Sequence, residues 1–172
     1  MSREGPLTER EADHIVEHVP MKIASQVEWL EHRGFWKAVV PVTGAGVTTS
    51  LVMDLTINKQ LPGKYTMQLR QRSGVNIRRL DVRGSHSNRP ETGNSERWQS
   101  RTHKHRYRDM FEDAFAYTPT DIPDTTSSPF HPEPDEHGRV FEAFCGECGI
   151  DHAGQWTDPP GEPFDRHPGL AD

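Results

Sequence analysis

Apolar residues are scarce in this chain. They make up 32% of its 172 residues, and the mean hydropathy is −0.84. The core must therefore be modest and lean on large rings, seven Phe, four Trp and three Tyr, which bury more area than aliphatic side chains. No run approaches the roughly 18 apolar residues of a membrane span. Met1 to Pro6 has no apolar stretch of the signal-peptide kind, so the expectation is a cytoplasmic protein without membrane contact. Cysteine is nearly absent too: Cys145 and Cys148, three positions apart, are no disulfide framework. No Walker-type phosphate loop is present, since Gly44-Ala45-Gly46 reads only as a turn.

Charge is unevenly spread behind a net value of −6. The window from Lys64 to Arg108 holds 12 Lys/Arg against 3 Asp/Glu, leaving 8 against 23 for the rest. A basic middle between acidic flanks points to an anionic ligand, RNA or another polyanion. A solvated surface with no ligand is the plainer alternative.

The length allows one domain. Residues 1–151 are expected to form a single α+β unit, with 152–172, which contains four Pro, a flexible tail. Thr8-Glu9-Arg10-Glu11 has capping-box spacing, and Ala12, Ile15, Val16 and Val19 recur at helical intervals, which predicts a helix from about Glu9 to Val19. Alternation or β-branched composition predicts strands at Phe35–Val42, Thr49–Asn58, Lys64–Arg70, Ile77–Arg83 and Arg101–Arg108. Short links between them favour an antiparallel sheet of about five strands. Residues 119–134, rich in Pro, Thr and Ser, read as a loop or lid. A second helix is expected from Asp135, as its cap, to Gly149, with Cys145 and Cys148 on its apolar face.

The chemistry-bearing residues fall in two stretches, Arg79 to Asn88 and Thr102 to Tyr107. Residues two apart on a strand share a face, so His103, His105 and Tyr107 line one side, and a loop carrying His86 and Asn88 can approach them. Paired imidazoles beside cations suit metal-free RNA cleavage. One removes the 2′-hydroxyl proton, another protonates the leaving oxygen, and a cation steadies the phosphorane. In that reading His86, His103 and His105 are catalytic, and Arg70, Arg79, Lys104 and Arg106 hold phosphate. Asp81, Asn88 and Tyr107 support them, with no metal and no cofactor. Two alternatives stand beside it: a non-catalytic module binding nucleic acid or a protein partner, and a metal-dependent hydrolase using His86, His103, His105 and Asp81. A zinc site joining two of these His to Cys145 and Cys148 is a weaker option, because buried thiols serve equally well as small hydrophobes. Phe111 to Tyr117 could stack bases but reads more simply as core.

Several of these residues carry a resemblance. Leu80-Asp81-Val82-x-Gly-x-His86-x-Asn88, His103-x-His105-x-Tyr107, Ala116-Tyr117 and the closing helix that ends in Cys-Gly-Ile resemble a group of uncharacterised small bacterial and phage proteins. In outline, Arg79-Leu80-Asp81 and Thr102-His103-Lys104-His105 are similar to segments of the TumE-type toxins of toxin–antitoxin pairs. That resemblance implies a toxin-like, RNA-directed protein with an antitoxin protein as a possible partner.

Overall fold

The computed structural model describes residues 7–122 and 128–161. The elements in chain order are α1 (Glu9–His18), β1 (Met21–Ile23), β2 (Leu30–His32), β3 (Phe35–Gly44), β4 (Leu51–Asn58), β5 (Tyr65–Gln71), β6 (Asn76–Ser87), β7 (Arg97–Arg108), β8 (Glu112–Tyr117), α2 (Glu136–Glu147) and β9 (Ile150–Asp151). One mixed sheet dominates, in the order β8-β7-β6-β5-β4-β3-β1-β9, with β2 on β3. This corrects the expected five-stranded antiparallel sheet: nine strands are present among the described residues, and β1 and β9 run parallel. The additional strands include β1, β2 and β9, of two or three residues each, too short to show a period. The aromatic stretch near Tyr117 also proves to be a strand, β8, hydrogen-bonded to β7.

One sheet face is apolar and covered. Val40, Met53, Leu69 and, one strand apart, Leu55, Met67 and Leu80 follow each other across the ladder. They share a single buried cluster with Ala12, Ile15 and Val16 of α1 and Val140, Phe141 and Phe144 of α2. Alternation therefore buries this face because both helices lie against it, which leaves the opposite face to polar residues.

The helix start is as read: the Thr8 side chain accepts from the Glu11 backbone, and Glu11 reaches back to Thr8. The predicted Asp135 cap is not made by its side chain, which pairs instead with Arg139 at 3.0 Å. Gly149, at φ 64°, ends the turn after α2, where an added Cβ would lie 2.9 Å from the Val16 carbonyl oxygen. Both cysteines are fully buried in the apolar cluster. The expected tail packs at its start, since Trp156 lies 4.8 Å from the Phe141 ring and Thr157 donates to the Val27 carbonyl. Its end, 162–172, and residues 123–127 of the expected lid fall outside the described residues.

Ion pairs tie distant segments together. Arg78 reaches Asp13 of α1 at 2.6 Å, and buried Arg83 meets buried Glu136 of α2 at 2.9 Å. Arg83 sits in the left-handed region, at φ 53°. The ladder shifts register on either side of Gly84, so β6 and β7 form a long, irregular ribbon.

Candidate functional site

The polar face of the sheet carries the histidines. Asp81 of β6 is registered directly against His103 of β7, and Arg79 against His105. Cross-strand neighbours project to the same side, so the carboxylate and both rings meet. His103 Nε2 stands 3.5 Å from Asp81 Oδ2, and His105 Nε2 stands 3.2 Å from the same oxygen. His86 belongs to the end of β6 rather than to a loop. Its ring centre lies 4.6 Å from that of His105 and 5.8 Å from that of His103.

The inner part of this cluster is closed. His103 is 0% exposed and His105 3%, while His86 is only half-buried. Trp98, absent from the sequence-based site, supplies much of the cover, its ring 5.4 Å from His103 and 6.1 Å from His86. Nothing but a large ring in a polar stretch could have marked it.

Backbone carbonyls orient both buried rings. His103 Nδ1 lies 3.0 Å from the Arg101 carbonyl and His105 Nδ1 2.7 Å from that of Asp113. A carbonyl only accepts, so each Nδ1 carries the proton and donates. Asp81 receives Thr66 Oγ1 at 2.8 Å and Arg79 Nε at 3.0 Å on its Oδ1. Burial alone would raise this carboxyl. The approach of His103 and His105, with Arg79 and Thr66, outweighs burial and holds it well below the ordinary carboxylate range. His86 is held below its ordinary value, first by burial and then by neighbouring His105, which favours the neutral ring.

The other expected site residues have different occupations. Arg70 is engaged by Asp54, and Lys104, on the helix-covered side, by Asp121 and Glu147. Arg79 pairs with Asp81, and Arg106 lies over the Phe115 ring. Asn88 clamps the backbone of Ala116, donating at 2.9 Å and accepting at 2.8 Å. Tyr107 leaves the histidine row: it joins the core, and its hydroxyl donates to the Leu7 carbonyl at 2.7 Å. Among the described residues, the one group of three or more potential ligands within reach of a common ion is Asp81, His103 and His105, without a cysteine.

No curated protein and no solved structure matches this chain. One family model does, over residues 7–150, and on that match the chain belongs to the family of unknown function DUF6978.

Proposed function

We propose that this protein is an RNA-directed binding module, toxin-like in character, that engages polyanions through the far end of the β6–β7 ribbon. One observation carries the reading. Of the twelve cations between Lys64 and Arg108, Arg70, Arg78, Arg79, Arg83, Lys104 and Arg108 are taken up in ion pairs. Lys64, Arg72, Arg89, Arg97 and Arg101 are exposed and, among the described residues, form no ion pair. Three of these five, Arg89, Arg97 and Arg101, gather at one end of the ribbon, where Ser87 faces Arg97 and Gly84 faces Arg101. Glu91 and Glu96 share that loop, but Glu96 is occupied by the Thr118 hydroxyl at 2.7 Å. The resemblance of Arg79–Asp81 and Thr102–His105 to segments of TumE-type toxins supports RNA as the polyanion and a protein antitoxin as partner.

The convergence of three imidazoles favours a second reading, endoribonuclease chemistry. In it, half-exposed His86 would meet the substrate, with enclosed His103 and His105 behind it. The test uses fluorescein-labelled single-stranded RNA, followed by anisotropy between about 50 and 200 mM salt. Binding should weaken steeply with salt. Replacing Arg89, Arg97 and Arg101 by Ser should lower the salt slope by about 0.7 for each phosphate no longer neutralised, whereas Lys104→Met should leave it unchanged. Absence of binding at low salt, or an indifferent triple variant, ends the proposal. Shortened RNA on a denaturing gel, abolished in His86→Ala, would establish the second reading.

A further inference from the structure

Two buried imidazole nitrogens, Nε2 of His103 and of His105, face one buried carboxylate oxygen of Asp81. Each Nδ1 of His103 and His105 is committed as a donor to a backbone carbonyl, so Nε2 is the ring atom each has left for a further partner. Both Nε2 atoms converge on Asp81 Oδ2, at 3.5 and 3.2 Å. Among the described residues neither Nε2 meets hydrogen-bond geometry with any partner, although both rings are at least nine-tenths buried. A buried polar atom without a partner is costly, so such a pair of atoms calls for one. A single cation at the common point serves both rings and the carboxylate at once.

We infer that Asp81, His103 and His105 form a binding site for a divalent transition-metal ion, of the borderline class that prefers imidazole nitrogen with one carboxylate oxygen. The spacing fits. Bonds of about 2.05 Å to a tetrahedral ion set ligand atoms about 3.3 Å apart, and the two Nε2–Oδ2 separations are 3.5 and 3.2 Å. The surroundings fit as well. Metal-bound imidazoles hold their other N–H on a carbonyl or carboxylate, which fixes tautomer and ring orientation, and ligating carboxylates are themselves hydrogen-bonded. Here the Arg101 and Asp113 carbonyls do the first, and Thr66 and Arg79 the second. Imidazole nitrogen with a single carboxylate favours zinc, cobalt, nickel or copper over magnesium or calcium, which prefer all-oxygen shells. Three protein donors leave a fourth position, on a cluster flanked by half-exposed His86. The ion would join β6 to β7. This site does not depend on RNA binding.

The full chain, stripped with a chelator and dialysed, is titrated with zinc by calorimetry and with cobalt by visible absorption. The expected result is one ion per chain, with the intense visible bands of low-coordinate cobalt and a higher melting temperature. In His105→Gln and Asp81→Asn, each checked for folding by circular dichroism, affinity should fall on the order of a hundredfold. Undiminished binding in these folded variants, or no stoichiometric binding by folded wild type, overturns the site. Should both variants unfold, long-range proton–nitrogen spectra of the wild type decide. Zinc must move the Nε2 resonances of His103 and His105, and unmoved resonances also overturn the site.

Discussion

Gly84 lies so close to His103 that a Cβ built on it would stand 2.9 Å from the ring's Cε1, and 2.8 Å from Cβ of Asp81. The imidazole cannot swing away, because it is wholly enclosed. Gly84→Ala should therefore destabilise the protein by about 1–3 kcal/mol, the usual cost of forcing extra volume into packed surroundings. Urea unfolding measures this. A variant as stable as wild type would mean that the ribbon shifts freely at this point and does not hold Asp81 and His103 in register.

The cysteines should be inert in the native state. Cys145 and Cys148 are free and fully buried. Burial, with Glu142 nearby, pushes the Cys145 thiol up to about 12, and burial with Glu147 raises Cys148 further from reactivity. The thiolate is the nucleophile. Iodoacetamide at pH 8 should leave both unmodified in native protein and label both in urea, as read by mass spectrometry. Rapid native labelling would contradict the packing of α2. Replacing either by Ala should cost about 1–2 kcal/mol through weakened packing, without abolishing folding.

Acid should weaken the fold partly through His137. Its ring is buried against Tyr65, with Nε2 2.8 Å from the Pro62 carbonyl. Burial depresses its pKa below the ordinary value near 6.5. The unfolded chain then binds a proton that the folded ring does not, so stability rises with pH in that window. It falls as pH drops from about 6.5 toward the lowered folded value, by at most about 1.4 kcal/mol per pH unit for one group. His137→Gln keeps a donor for Pro62 and removes the titration. Unfolding free energies of the two proteins, compared from pH 7.5 to 5, should diverge in slope, and parallel curves would refute the assignment.

Much of the fold was readable where one period ran undisturbed. Thr8 and Glu11 marked the start of α1, and alternation at Leu51–Ile57 and Tyr65–Leu69 marked strands and the face they bury. The pairing of His103 with His105 followed from a spacing of two, and their meeting with His86 required only a neighbouring strand. The misses share two physical causes. Bulges around Gly84 and the irregularity near Arg106 break the period, so the ends of β6 and β7 and the departure of Tyr107 into the core were hidden. Long-range pairing was the other. Asp13 lies 65 positions from Arg78, and Glu136 lies 53 from Arg83, so a basic stretch that looks wholly free along the chain has half its cations paired in space.

The parallel pairing of Met21 with Ile150 carries a consequence for synthesis. The ribosome completes β8 at Tyr117 but must add 33 more residues before Ile150 exists, about 2–7 s at ordinary elongation rates. During that interval α2 has not covered its part of the apolar face, and β1 presents an open edge. Such a nascent sheet is an invitation to strand-to-strand association. Chains that terminate early, between β8 and β9, should be the ones a cell must chaperone or destroy.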